Sequence, residues 1–193
     1  RAREGEPYVF TKPVSSIARP HDPIAVPPTT AKLDWELELA VVIGRTCHCV
    51  SRADAMDVVA GYTVDNDLSA RDLITRTDYA MLGTDWLRGK GQPGFLPLGP
   101  TIVPAAFVAD PDDLRLTLSV NDRVMQDEST ADMLFGIDRL IEYLTTYVTL
   151  LPGDLLLTGS PAGNGTHHGR FLQPGDVMTG AIAGIGVQRA MCV

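Results

Sequence analysis

Residues Leu114 to Val120 read Leu-x-Leu-x-Leu-x-Val, the period-two pattern of a half-buried strand. Asn121-Asp122 follows as a turn, and Arg123 to Gln126 reads as the return strand of a hairpin. Ile137, Leu140, Ile141, Leu144 and Val148 recur at helical spacing, which predicts an amphipathic helix over 137–150. Leu33 to Gly44 is apolar for most of its length, β-branched at its far end and closed by glycine. That pattern predicts a strand entering a core. Shorter strands are expected at 7–13, 62–64, 101–103 and 155–157, and again through 177–189. Ser51 can cap and Gly61 can stop a short helix between them, and helical spacing recurs over 73–88. Six prolines from Pro7 to Pro28 exclude a continuous helix there, and Gly89-Lys90-Gly91-Gln92-Pro93-Gly94 predicts a loop. Many short strands with few helices make the expected fold α+β and β-rich. No repeat, linker or low-complexity tract divides the 193 residues, so one domain over 1–193 is expected.

The composition, 45% hydrophobic and 21% charged, is that of a globular chain. No apolar run approaches the roughly 20 residues that cross a bilayer, and no secretory leader pattern opens the chain. A net charge of −8 without a basic stripe argues against a nucleic-acid partner, while leaving a small anionic substrate open. Cys47, Cys49 and Cys192 are too few for a disulfide framework and suggest a reducing cytoplasm. Cys47-His48-Cys49 has no second half to complete a soft-metal clip.

Candidate chemistry begins in the Leu33–Gly44 stretch. Glu36 and Glu38 stand at i and i+2, which in a strand points both carboxylates to one face. At the edge of a core such a pair needs a cation or a shared proton; on an exposed edge strand it needs neither. Asp67, following a predicted strand, is a natural third carboxylate, with Asp65 acceptable from spacing alone. Three carboxylates without His or Cys favour a hard ion such as Mg²⁺ or Mn²⁺ over zinc. Lys90 lies between glycines where a cation could reach an anionic substrate, or simply be solvated. Thr158-Gly159-Ser160 offers a hydroxyl and backbone N–H groups at a strand end, suited to a carboxylate oxygen and equally to a plain turn. Gln126, in a polar cluster after the hairpin, carries no signal of its own.

The order of these motifs is more specific than any one of them. Glu-Leu-Glu-Leu-Ala-Val-Val-Ile-Gly from Glu36, then Gly-Tyr-Thr-Val-x-Asn-Asp-Leu-Ser-Ala-Arg-Asp from Gly61, then Lys90 ahead of Pro97-Leu98-Gly99-Pro100, then Leu157-Thr158-Gly159-Ser160-Pro161 resembles the fumarylacetoacetate hydrolase superfamily. The likeness runs from about Pro7 to Arg189. It implies a mixed β-sandwich roll, a homodimer, and a divalent ion (Mg²⁺, or Mn²⁺ or Ca²⁺) held by Glu36, Glu38 and Asp67. It further implies Lys90 as a catalytic cation, Thr158 and Gly159 as carboxylate contacts, Gln126 as a substrate-facing side chain, and Arg71 as a structural residue. The implied activity is metal-dependent hydrolysis of a C–C bond in a 2,4-diketo acid or acylpyruvate, with the ion acting on a developing enolate. Decarboxylation of a 2-oxo acid, isomerisation or hydration at the same site is the neighbouring possibility, and a non-catalytic binding module the remote one. Two departures stand out. The family's His and Glu general-base pair falls upstream of the Pro-x-x-Phe-x-Lys-Pro strand, before Arg1, so a preceding lid segment is expected. The family's Lys-Ser-Phe-Asp loop is Lys90-Gly91-Gln92-Pro93 here.

Overall fold

A computed structural model describes residues 5–193. The chain forms β1 (Ile17–Ala18), β2 (Leu33–Asp34), β3 (Leu37–Ile43), β4 (Val59–Asn66) and β5 (Ser69–Ala70). The short helices α1 (Arg71–Ile74) and α2 (Trp86–Lys90) follow, then β6 (Leu96–Pro97), β7 (Val103–Pro104), β8 (Arg115–Val120) and β9 (Arg123–Ser129). Next come α3 (Ile137–Tyr147), β10 (Leu155–Leu157), α4 (Gly165–His168), β11 (Val177–Ile182) and β12 (Gly186–Met191). Two antiparallel sheets, ordered β10-β3-β4-β7 and β12-β11-β8-β9, carry the architecture. They pack face to face, with β4 against β11 and β12 and β3 against β8. The expected β-rich α+β sandwich is the observed fold. The sheets approach so closely that a side-chain carbon on Gly180 would lie 2.5 Å from Leu37 Cδ1. Gln188 crosses the gap to donate to Val64 O (2.8 Å) and Pro97 O (3.0 Å).

All seven residues of β3 are buried, which explains its nearly continuous apolar sequence. The strand predicted over 33–44 is nevertheless broken. Trp35 N donates to Asp34 Oδ1 (2.8 Å), Glu36 N to Asn66 Oδ1 (2.8 Å) and Leu37 N to Gln126 Oε1 (3.1 Å). Three side chains thus take the place of ladder partners, and the chain separates into β2 and β3 at Trp35-Glu36. The hairpin is as expected, with Asn121 and Asp122 at φ 50° and 65°, the left-handed pair of a tight β-turn.

The strand expected over 7–13 does not form, and several boundaries differ from expectation. The helix from Ser51 is only a 3₁₀ turn at Ala55–Val58, because Val59 already pairs with Ile43 in β4. Gly61 lies within β4 and stops nothing; a side-chain carbon there would sit 2.4 Å from Val103 O in β7. Lys90 closes α2, whose first turn is capped by Asp85 accepting from Arg88 N, where the glycines predicted a loop. Helix α3 ends at Tyr147, since Leu150 turns back to exchange backbone hydrogen bonds with Cys47.

Trp35, fully buried, donates its indole N–H to Gly163 O at 3.0 Å. Gly163 has φ +98°, and a side-chain carbon there would lie 2.0 Å from Met125 O. Gly163→Ala is therefore expected to lower stability by about 1–3 kcal/mol, read as a fall in the denaturant midpoint. An unchanged midpoint would mean that this loop relaxes without disturbing Trp35.

Candidate metal centre

The break in the strand sets the site. Glu36 sits at the kink, Glu38 on β3, and Asp67 just past β4, where its N–H bonds to Glu36 O at 2.8 Å. One carboxylate oxygen from each lies within 4.8 Å of the others, and all three residues are buried. The i and i+2 carboxylates do converge, although Glu36 stands outside the strand.

Each carboxylate is held separately. Gly159 N donates to Glu38 Oε2 at 2.7 Å. Arg71 Nη2 donates to Glu36 Oε1, and Ser69 Oγ to Glu36 Oε2 at 3.2 Å. The Lys90 ammonium bridges Glu36 and Asp67. A second lysine, Lys12, donates to Asp67 Oδ1 (2.5 Å) and Phe95 O (2.9 Å). Behind Arg71 stands Asp34, fully buried, which accepts from Arg71 Nε (2.8 Å), Gly165 N (2.5 Å), Trp35 N, and Thr166 through its N and Oγ1. Asp34 thereby ties the 163–166 loop to the arginine that orients Glu36.

Asp65 is not part of the triad. It pairs with Glu38 across β3 and β4, is fully buried, and neither of its oxygens has a hydrogen-bond partner among the described residues. Burial, reinforced by Glu38 and Asp67, holds its carboxyl well above the usual range. Burial likewise pushes the Glu38 carboxyl up to about 8, with Asp67 and Glu36 adding to the effect. Burial opposes ionisation of Glu36 too, but Lys90 and Arg71 outweigh it and hold that carboxyl low. Lys90 rises despite burial because Glu36, Asp67 and Glu38 surround it, whereas burial prevails at Lys12 and lowers it.

The donor set fits a hard divalent ion. Glu36, Glu38 and Asp67 offer three oxygens at one point, with no imidazole or thiolate among the three. The triad lies in a cleft of about 1260 Å³. Thr158 and Gly159, expected as carboxylate contacts, line that cleft, but their donors are committed, Thr158 Oγ1 to Leu39 O (2.9 Å) and Gly159 N to Glu38. Gly159 is thus a positioner of Glu38. Gln126 does not face the cleft. It is 1% exposed and joins Leu37 N to Ser160 Oγ and Pro161 O, so its amide is spent on the fold. Lys12 and Asp34 were not legible as site residues; Lys12 had only its place in the Phe10-x-Lys12-Pro13 segment to mark it.

Fold and site together define a β-sandwich domain with a carboxylate centre suited to a hard divalent ion. The chain belongs to the fumarylacetoacetate hydrolase family, whose model "Fumarylacetoacetate (FAA) hydrolase C-terminal" matches residues 1–193. It is 42% identical over 187 residues to a 2,4-didehydro-3-deoxy-L-rhamnonate hydrolase of Sphingomonas sp. (strain SKA58), covering 95% of this chain and 64% of that protein. It is 43% identical over 184 residues to the human mitochondrial oxaloacetate tautomerase FAHD2B, covering 94% and 57%. The chain therefore spans less than two thirds of the length of these relatives. Among solved structures, 2-hydroxyhepta-2,4-diene-1,7-dioate isomerase from Mycobacterium marinum superposes with a TM-score of 0.86 at 40% identity, covering 98% of this chain and 69% of that one.

Asp34→Asn keeps the shape but cannot accept from Arg71 and the 165–166 backbone together. It is expected to weaken Mg²⁺ binding about tenfold in calorimetric titration, the usual scale for groups that orient metal ligands. Affinity unchanged within twofold would show that Arg71 holds Glu36 unaided.

Proposed function

We propose that this chain is the catalytic domain of a divalent-metal-dependent enzyme that cleaves the C–C bond of an acylpyruvate or related 2,4-diketo acid. The observation that carries the reading is the convergence of three buried carboxylates with the Lys90 ammonium at one point of a largely apolar cleft. Mg²⁺, or Mn²⁺ or Ca²⁺, is the proposed occupant, held by Glu36, Glu38 and Asp67. When bound, such an ion supplies Lewis-acid stabilisation of oxygen charge.

The chain's own residues then have distinct tasks. Lys90 presents positive charge where a 2-oxo oxygen gains electron density. Lys12 and Arg71 keep Asp67 and Glu36 oriented. Thr158, on the cleft wall, is the proposed contact for the substrate carboxylate once its hydroxyl turns from Leu39 O. In the reaction, the bond between C3 and the acyl carbon breaks and its electron pair stays on C3 as the enolate of pyruvate. Hydroxide from water joins the acyl carbon, and a proton returns to C3, giving a carboxylic acid and pyruvate. The names of the tautomerase and isomerase relatives favour a second reading, in which the enolate is reprotonated without bond cleavage.

The likeness to the family also supports a homodimer, and three unpaired cysteines support a reducing compartment such as the cytoplasm. Among the described residues no helix is long and apolar enough to cross a membrane.

With Mg²⁺, the protein is expected to convert an acylpyruvate to pyruvate, and Lys90→Met to lower kcat at least about 100-fold. Loss of the enol absorbance without pyruvate would transfer the assignment to isomerisation, and full activity of the Lys90→Met protein would remove Lys90 from the chemistry. Sedimentation equilibrium is expected to give twice the chain mass; a monomer mass would end the dimer proposal.

A further inference from the structure

Lys90 is held from outside its own helix. Residues 6–13 form no helix or strand, yet their side chains attach them to α2 and to the triad. A side-chain carbon on Gly91 would lie 3.2 Å from Pro13 Cδ, so the segment settles where glycine leaves room at the end of the helix. Next to Pro13, Lys12 donates to Asp67 Oδ1 (2.5 Å) and Phe95 O (2.9 Å). Two residues earlier, the Phe10 ring stacks on Trp86 at 4.5 Å and 8° and lies 5.2 Å from Lys90 Nζ. Trp86 and Lys90 stand four residues apart in α2, hence on one helix face, and Phe10 packs over both. Tyr8 completes the attachment, its hydroxyl accepting the Trp86 indole N–H at 2.8 Å.

We infer that Phe10 is a positioning residue for Lys90, its ring face keeping the ammonium against Glu36 and Asp67. A lysine head sits on a flexible four-carbon stem, so its direction has to be fixed by what surrounds it. Two of the three ammonium N–H groups go to Glu36 and Asp67, and the Phe10 ring lies over the same nitrogen. An aromatic face attracts a cation where an aliphatic side chain of similar bulk does not. Away from water that difference is worth roughly thirtyfold, and Lys90 is 4% exposed. Phe10 in turn is placed by Trp86 behind it and by Lys12 on its own segment. The segment thereby ties the direction of Lys90 to the carboxylate centre. Only the link to turnover rests on the function proposed for Lys90.

The test pulses the Mg²⁺-loaded protein with acetic anhydride and reads acetylation at each lysine by peptide mass spectrometry, with exposed Lys32 as the internal reference. Phe10 is half-buried and stands outside the core cluster, so its variants are expected to fold. Phe10→Leu keeps apolar bulk and loses the ring. It is expected to raise acetylation of Lys90 relative to Lys32 at least about tenfold, whereas Phe10→Tyr, which keeps the ring, stays within about twofold of the parent. No rise in Phe10→Leu, or equal rates in the two variants, overturns the inference. With an acylpyruvate, kcat of Phe10→Leu is expected to fall about tenfold at a KM within about twofold, and Phe10→Tyr to retain the parent value. An unchanged kcat in Phe10→Leu, where the parent is active, overturns the inference as well. Absence of pyruvate formation by the parent, with the acetylation contrast intact, defeats the hydrolytic reading alone.

Discussion

Glu36, Glu38, Asp65 and Asp67 are all buried in one neighbourhood, and their mutual repulsion is the constraint that the rest of the structure answers. Two unit charges 4 Å apart interact by about 4 kcal/mol at an effective dielectric of 20, so such a cluster, fully ionised, cannot stand without cations. The chain supplies them from three places far apart in sequence: Lys12 in the N-terminal segment, Arg71 at the start of α1, and Lys90 at the end of α2. The divalent ion proposed for the triad would continue the same compensation. Asp65 is the exception, since both its oxygens lack partners among the described residues, and burial with its acidic neighbours raises its carboxyl.

Holding the cluster in place shapes the surrounding backbone. The central strand is interrupted where Glu36 must turn toward the triad, and the freed N–H groups of residues 35–37 are taken up by Asp34, Asn66 and Gln126. Those side chains do double service. Asp34 also grips Arg71 and the 165–166 backbone, and Gln126 also grips Ser160 and Pro161. The loop after β10 is thus anchored at both ends of the site, through Gly159 to Glu38 and through Gly165 to Asp34. Geometry at the triad and packing of the sandwich are consequently one structure, which explains why the close approach at Gly163 bears on both.

Much of the fold was legible in the residues themselves. The alternation at 114–120, the Asn121-Asp122 turn and the apolar stripe from Ile137 to Leu144 each report which side of a local element is wet. Where two local preferences competed, tertiary pairing decided. Ser51 and Gly61 signal a helix, but Val59 is drawn into β4 by Ile43. The glycines around Lys90 signal a loop, yet Asp85 and the closing turn of α2 make that lysine helical and bury it.

For the site, the sequence by itself determined the acidic set, the lysine that accompanies it, and through motif order the family. These are short-range or ordered features that a linear chain records directly. The family resemblance already pointed to Asp67 rather than Asp65; only the tertiary structure decided that Lys12 joins Lys90, that Asp34 stands behind Arg71, and that Gln126 belongs to the fold. Each of these depends on contacts between residues 23 to 131 positions apart, and no local pattern encodes which distant partner a buried polar group will meet.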